Sequence, residues 1–181
     1  MKIYVASSWR NTRQPEIVQA LRDAGHEVYD FKQPVPGDNG FHWTEIDGGW
    51  KEWSPERFAA ALDHPIAQAG YKKDMDALEG CEVCVMVMPC GRSASLETGY
   101  AIGAGKPTFI LLSDGEPELM FKMAQVCLTL PELIERVNNC CHYEAKGGFN
   151  VPTMDSCTHR SKAAGTLSGF IPEETMPGGM F

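Results

Sequence analysis

The chain has 181 residues, of which 43% are hydrophobic and 22% charged, a composition typical of one globular domain with a sizeable core. Its formal net charge is −8 and its Lys and Arg residues are not clustered, which argues against a binding surface for polymeric nucleic acid. No apolar run approaches the roughly 20 residues needed to cross a bilayer, and no leader-like segment precedes the first predicted strand, so we expect a cytoplasmic protein without membrane contacts.

Strand and helix patterns alternate from the first residues of the chain. A short apolar strand is predicted at Lys2–Ala6, followed by a loop at Ser7–Asn11 and a helix that ends at Gly25. A second strand is predicted at His26–Phe31. Loop residues then interrupt the alternation, and the segment 33–70 is predicted to be an insert that carries three of the four tryptophans: Trp43, Trp50 and Trp53.

The central strand is predicted at Val83–Met88, an unbroken apolar run typical of a strand buried on both faces. Pro89 cannot donate to a sheet ladder and ends it. The helix that follows has Ser93 as its predicted N-cap and Gly105 as its end, which places Glu97 in the first turn.

The last predicted elements are a fourth strand, a short helix, a fifth strand and a closing helix: Thr108–Leu112, Glu116–Ala124, Val126–Leu130 and Pro131–Val137. From residue 139 onward Gly, Pro, Ser and Thr dominate, so the segment 139–181 is predicted to be an irregular tail after one domain at 1–138. The alternation predicts an α/β fold of the flavodoxin or Rossmann-like type. Its five-stranded parallel sheet has the order 2-1-3-4-5 and carries helices on both faces.

In this topology a ligand site is expected where the loops after strands one and three meet. Glu97 there has two interpretations: a carboxylate that complements the helix dipole, or an ionised nucleophile aimed into the cleft. The segment Gly91–Ser93 is likewise either an ordinary tight turn or a phosphate site built from backbone N–H groups and a guanidinium.

The sequence predicts neither a metal site nor a cofactor site. The odd number of cysteines, seven, argues against a secreted disulfide framework. The residues Cys140, Cys141, His142, Cys157 and His159 match no zinc-module spacing. A dinucleotide cofactor is not expected, because Ala6-Ser7-Ser8-Trp9 stands where the glycine-rich loop would follow strand one.

Four segments resemble the nucleoside 2-deoxyribosyltransferase-like superfamily, which includes deoxyribosyltransferases and 2′-deoxynucleoside 5′-monophosphate N-glycosidases. Ile3–Arg10 is similar to the family's first strand and loop, and Asp74–Leu78 to the segment that bears its aspartate. Ser93-x-x-x-Glu97-x-Gly99-x-Ala101 is similar to its nucleophile helix. Glu118–Met120 falls where family members reach into a neighbouring subunit's site.

The resemblance implies a division of roles. Glu97 would form a glycosyl-enzyme ester, Tyr4 would orient Glu97, and Asp74 would handle the proton of the leaving base or entering water. Tyr4 could instead be only a strand residue and Asp74 a solvated helix position, with Asp76 as its replacement. The predicted substrate-binding residues are Ser7, Arg10, Gly91, Arg92, Ser93, Trp43, Glu118 and Met120.

Three of those side chains carry open alternatives. Arg10 and Arg92, with Ser93, would hold a 5′-phosphate, but the two arginines could also be ordinary surface cations. The tryptophans of the insert, Trp43 among them, could form a lid that stacks on a base, or the miniature core that lets the insert fold.

One departure from the family pattern bears on the reaction. Six positions before the nucleophile the transferases carry an acid and the monophosphate hydrolases a serine, whereas this chain has Gly91. The absence of the acid argues against the ordinary transferase site and slightly favours hydrolysis. The presence of two arginines near the cleft favours a phosphorylated substrate. The expected partner is therefore a small nucleoside or nucleotide. The protein is expected to be a homo-oligomer built from dimers. The alternative function is that of a non-catalytic nucleotide-binding or sensing module on the same fold.

Overall fold

The computed structural model describes residues 1–113 and 118–140, which form a five-stranded sheet whose strands are all parallel. The strand order 2-1-3-4-5 is confirmed. The strands are β1 (Lys2–Ala6), β2 (Glu27–Asp30), β3 (Val83–Val87), β4 (Thr108–Leu111) and β5 (Gln125–Cys127). The α-helices are α1 (Gln14–Asp23), α2 (Pro55–Ala61), α3 (Pro65–Gly80), α4 (Arg92–Gly103) and α5 (Leu130–Cys140).

Two hydrophobic cores lie on opposite faces of the sheet, because alternate residues of a strand point to opposite sides. On one face Ile3 and Val5 of β1 pack with buried residues of α1 and α5, such as Leu21 and Leu133. On the other face Tyr4 and Ala6 of β1 pack with Cys84 of β3, Leu78 of α3, and Ala94 and Ala101 of α4. Helices therefore cover both faces, as the sequence predicts.

The insert between β2 and α3 has a small aromatic core of its own. Two 3₁₀ turns, Trp43–Glu45 and Trp50–Glu52, precede α2, whose N-cap Ser54 accepts a hydrogen bond from the Arg57 backbone N–H. The Trp43 ring packs against Phe41, Trp53 and Phe58, with ring centroids 4.8 to 5.7 Å apart. This packing favours the miniature-core interpretation for Trp43, while Trp9 from the β1–α1 loop packs on Phe31 and His42.

The start of the central helix differs from the sequence prediction, whereas its flanking residues agree with it. The N-cap of α4 is Gly91 in place of Ser93, so the helix begins at Arg92 and Glu97 lies in its second turn. Because helix-dipole effects are confined to the first turn, the dipole interpretation of Glu97 loses its basis. Pro89 ends β3 as predicted, through a cis Met88–Pro89 peptide bond, and Gly105 follows α4 with a left-handed φ of 73°.

The last elements also differ in position from the prediction. In place of a helix over Glu116–Ala124 the structure has a 3₁₀ turn, Leu119–Met123; residues 116 and 117 lie outside the described residues. Strand β5 ends at Cys127, and Thr129 and Glu132 then cap the start of α5. Thr129 Oγ1 accepts from the Glu132 N–H, and Glu132 Oε2 from the Leu128 N–H.

The predicted tail lies mostly outside the described residues. Helix α5 continues to Cys140, so the first two residues of the segment 139–181 are helical. The remainder, 141–181, lies outside the described residues, and the domain boundary at 138 stays a prediction. No helix in the described ranges has the length and apolarity of a membrane span.

Candidate active site

Tyr4 forms the floor of the candidate site, in the middle of β1. Its side chain is fully buried on the sheet face that α3 and α4 cover, and Cys84 is its neighbour in β3. Burial raises the pKa of the phenol, and the charges of Glu97 and Asp74 raise it further, so the hydroxyl keeps its proton. Within the described residues this hydroxyl has no hydrogen-bond partner of good geometry, so a buried donor is left facing the carboxylates.

Glu97 enters the same space from the second turn of α4. Burial is the main cause that raises the pKa of its carboxyl from 4.5 to about 7, and the charge of Asp74 adds to it. The Tyr4 hydroxyl opposes this shift, because a donor stabilises the ionised form. The sequence-based expectation that the helix N-terminus keeps Glu97 ionised is therefore wrong; desolvation prevails, and the carboxyl titrates near neutrality.

Asp74 and Tyr29 complete a group of two carboxyls and two phenols. The Tyr29 hydroxyl donates a 2.7 Å hydrogen bond to Asp74 Oδ1, and its ring stacks on Tyr4 with centroids 5.4 Å apart and planes at 16°. Burial raises the pKa of Asp74, whereas the Tyr29 hydrogen bond and the nearby Lys73 lower it. The alternative carboxylate, Asp76, is exposed and forms an ion pair with Lys72.

Sequence reasoning missed Tyr29, although a signal was present. Tyr4 and Tyr29 are direct partners in the parallel β1–β2 register, so their side chains emerge from the same face. Two tyrosines at matching positions of adjacent predicted strands would have indicated a stacked pair. The register could not be derived from either strand alone, because a one-residue slip would send Tyr29 to the opposite face.

The loop after β1 is fastened to the end of β3 by buried polar side chains. Ser7 Oγ donates to the Val87 carbonyl oxygen at 2.9 Å. The Asn11 amide donates to Ser7 Oγ at 3.0 Å and to the carbonyl oxygens of Val87 and Pro89 at 3.3 and 3.2 Å. Ser7 therefore holds the two site loops together, and Asn11, which sequence reasoning did not select, is central to that contact.

The predicted phosphate-binding residues lie in the β1–α1 loop and at the start of α4. Gly91 lies against Ser8, since a Cβ built on Gly91 would be 3.9 Å from the Ser8 side chain. Arg10, Arg92 and Ser93 are exposed, and neither guanidinium forms an ion pair with another described residue. Arg92 is the first residue of α4, where backbone N–H groups also point outward, and Arg10 lies in the β1–α1 loop.

Asp74 also lines a cavity of about 200 Å³. The insert and the first half of α3 form its walls, which combine apolar surfaces such as Phe41 and Ile66 with the polar groups of Glu45 and Asp74. Lys73, also on the wall, is paired with Asp38. Gly70 lets the Phe41 side chain pack closely on α3, because a Cβ there would come within 2.9 to 3.1 Å of the Phe41 side chain.

The remaining predicted residues lie apart from this group. Glu118 is exposed and precedes the 3₁₀ turn Leu119–Met123, in which Met120 is 60% exposed. Trp43 belongs to the aromatic core of the insert. No group of three or more His, Cys, Asp or Glu within 1–113 and 118–140 is placed to hold a metal ion, and most of the rejected zinc set lies beyond residue 140.

Comparison with solved structures identifies proteins of similar fold. A 2-deoxyribosyltransferase from the psychrotolerant bacterium Bacillus psychrosaccharolyticus is 19% identical, with a TM-score of 0.52 over 74% of this chain and 90% of the other. A CMP N-glycosidase, BcmB, from Clostridium botulinum is 15% identical, with a TM-score of 0.43 over 76% and 99% of the two chains. At these identities the first comparison supports the fold, in agreement with the resemblance seen in the sequence. No family model and no curated protein sequence matches the chain.

Proposed function

We propose that this protein cleaves or exchanges the N-glycosidic bond of a nucleoside or nucleoside 5′-monophosphate, with Glu97 as the nucleophile. The observation that carries the proposal is the pairing of two half-buried carboxyls, Glu97 and Asp74, each beside its own phenol. Placing two partly buried acids within electrostatic range of each other is unfavourable for folding, and a pure binding module has no need of it. The fold shared with a deoxyribosyltransferase is consistent with this chemistry but does not establish it.

In the first step the Glu97 carboxylate attacks C1′ of the sugar and the C1′–N bond breaks. The bonding electron pair leaves with the base, and the base nitrogen takes a proton from the Asp74 carboxyl or from water that Asp74 orients. In the second step water, or the nitrogen of another base, attacks C1′ and releases the Glu97 carboxylate, while Asp74 accepts the proton of the attacking group. This is the two-step, retaining route of glycoside hydrolysis.

The distribution of charge suggests an orientation for the substrate. Arg10, Arg92 and Ser93 supply a cationic entrance that suits a 5′-phosphate, with Ser7 and Gly91 shaping the loops beneath it. The cavity beyond Asp74 carries carboxylates and so disfavours phosphate; at about 200 Å³ it suits one heteroaromatic ring better than a whole nucleotide. The base would therefore occupy the cavity below the insert, with the sugar between Asp74 and Glu97.

The pKa of Glu97 gives the proposed reaction a pH dependence. Attack requires the ionised carboxylate, and a pKa of about 7 leaves roughly half of the molecules in that form at neutral pH. The rate should therefore fall about fivefold between pH 7 and pH 6 and about tenfold for each further pH unit below 6.

The first experiment is a screen for base release from nucleosides and their 5′-monophosphates, with and without a second base as acceptor. Release without acceptor indicates hydrolysis, and a new nucleoside formed with acceptor indicates transfer. Failure of every substrate to release base, combined with tight binding of a nucleotide, would favour the alternative of a non-catalytic nucleotide-binding module.

The Arg92→Ala variant tests the proposed phosphate contact. A charge-assisted hydrogen bond to phosphate is worth roughly 1.5–3 kcal/mol, so KM for the monophosphate should rise by one to two orders of magnitude. KM for the matching nucleoside should hardly change, and Arg22→Ala, on the last turn of α1, is the control. Equal effects on both substrates would show that Arg92 does not bind phosphate.

A further inference from the structure

We propose that Tyr29 is a positioning residue for Asp74: its hydroxyl fixes one carboxylate oxygen and leaves the other to the substrate. The role rests on the proposed function, because it concerns the same reaction. Tyr29 Oη lies 2.7 Å from Asp74 Oδ1, and Oδ2 has no hydrogen-bond partner among the described residues. One oxygen is thus held by the protein, while the other is free to meet a base or a water molecule.

The position of Tyr29 is fixed by the sheet. Its backbone is paired with Tyr4 in the β1–β2 register, and its ring is held flat against the Tyr4 ring. Asp74 comes from α3, which lies over this face of the sheet. The hydroxyl therefore approaches the carboxyl from a rigid strand, and a rigid donor fixes orientation at little entropic cost.

The two phenols serve the two carboxyls unequally. Tyr29 completes its bond to Asp74, whereas the Tyr4 hydroxyl beside Glu97 has no partner of good geometry. A hydrogen bond to the ionised form lowers a pKa, so Tyr29 keeps Asp74 more acidic than its burial alone would make it. The charge that Asp74 then carries is one of the causes that raise the pKa of Glu97. Tyr29 therefore influences Glu97 through Asp74.

Charged or titratable groups surround Asp74 on every element near it. Tyr29 comes from β2, Tyr4 from β1, Lys73 from α3 itself, Asp38 from the insert and Glu97 from α4. Lys73 lowers the pKa of Asp74 and Asp38 raises it, but these two side chains are paired with each other. Tyr29 is the neighbour that donates a hydrogen bond to the Asp74 side chain within the described residues.

The test compares the full-length wild type with Tyr29→Phe and Tyr71→Phe. Phenylalanine keeps the ring that stacks on Tyr4 and removes only the hydroxyl. Tyr71 is a matched control, because it lies on α3 one turn before Asp74 and is 65% exposed. Carbon-13 NMR follows the titration of the side-chain carboxyls without substrate, with Asp74→Asn used to assign the Asp74 signal. The pH profile of kcat/KM for base release is measured in parallel.

In Tyr29→Phe we expect the pKa of Asp74 to rise by about one unit and that of Glu97 to fall by a smaller amount. The limbs of the pH profile should move with them, and kcat should drop about tenfold or more while KM changes less. Tyr71→Phe should match the wild type. If the rate of base release in Tyr29→Phe is lower by the same factor at every pH, and the carboxyl titrations are unchanged, Tyr29 only supports the packing. This result would overturn the proposal.

The NMR titration and the assay of base release test this proposal and the proposed function separately. If no nucleoside or nucleotide releases base, the proposed function fails, while the NMR titration still decides whether Tyr29 controls Asp74. If base is released but Asp74 titrates identically in wild type and Tyr29→Phe, the proposed function stands and the positioning role is refuted.

Discussion

At the scale of single residues, the chemistry of the site follows from burial. Glu97 is a side chain whose position the sequence predicts but whose ionisation it does not. The helix register places the carboxyl in the cleft, whereas its pKa depends on how deeply α4 packs onto the sheet and on the position of Asp74. Tyr29 escaped prediction for a related reason, because its partner is 45 positions away and meets it only through the sheet register.

Burial of Glu97 predicts a specific effect on stability. Its folded pKa of about 7 exceeds the ordinary value of 4.5, so the folded state binds the proton more tightly than the unfolded state. The stability that Glu97 contributes is therefore complete below pH 4.5 and is lost as the pH rises to 7. At 1.36 kcal/mol per pKa unit the loss amounts to at most about 3 kcal/mol.

Glu97→Gln, which cannot ionise, should accordingly be more stable than the wild type at pH 8 by up to about 3 kcal/mol, with little gain at pH 5. Urea denaturation at the two pH values measures the difference. Glu16→Gln, an exposed carboxyl in the first turn of α1, is the control and should show no such change. A Glu97→Gln protein that is equally stable relative to wild type at both pH values would contradict a raised pKa.

At the scale of elements, local sequence signals fix most boundaries, and the exceptions have identifiable causes. The apolar run of β3 begins where predicted, at Val83. Helix α5 begins one residue earlier than predicted, at Leu130, because Thr129 caps its first turn by accepting from the Glu132 N–H. The polar contact between the β1–α1 loop and the end of β3 joins residues about 80 positions apart and was not predictable from local pattern.

The hydrogen bonds that Asn11 makes between the β1–α1 loop and the end of β3 should stabilise the folded protein. Asn11→Ala removes a buried amide that donates to Ser7 and to two backbone carbonyls, and it leaves those acceptors without this donor. We expect a loss of roughly 2–3 kcal/mol in the free energy of unfolding, measured by urea denaturation at neutral pH. Asn39→Ala, on the exposed surface of the insert, is the control. A loss below about 0.5 kcal/mol would show that water replaces the Asn11 amide.

In the molecule as a whole, several large apolar side chains of α4 and the last 3₁₀ turn are exposed. Leu96 on α4 is 77% exposed, and Leu119, Met120 and Met123 of the last 3₁₀ turn are 82%, 60% and 53% exposed. Exposed apolar side chains in such numbers are typical of an interface between subunits, and methionines adapt readily to such contacts. The fold itself was predictable from the alternation of strands and helices, whereas the subunit arrangement is not a property of one chain's pattern.

We expect a homo-oligomer built from dimers, with the turn Leu119–Met123 of one subunit close to the Glu97 site of another. Light scattering at micromolar concentration should give at least the mass of a dimer, and Leu119→Glu should reduce it by placing a charge in the interface. Glu135→Gln, an exposed change on α5, serves as the control. A wild-type monomer at these concentrations would refute the arrangement.

If Glu97 is the nucleophile, it becomes bonded to the sugar during turnover, and this ester can be trapped. A 2′-fluoro-substituted nucleoside 5′-monophosphate is used as substrate, because fluorine destabilises the positive charge that develops on the sugar ring and slows release of the ester. After an acid quench during turnover, peptide mapping by mass spectrometry locates the adduct. We expect one sugar phosphate per subunit on the peptide that contains Glu97, and none on Glu97→Gln, which should also release no base. Base release without an adduct, together with a Glu97→Gln protein that keeps most of the wild-type rate, would show that Glu97 is not the nucleophile.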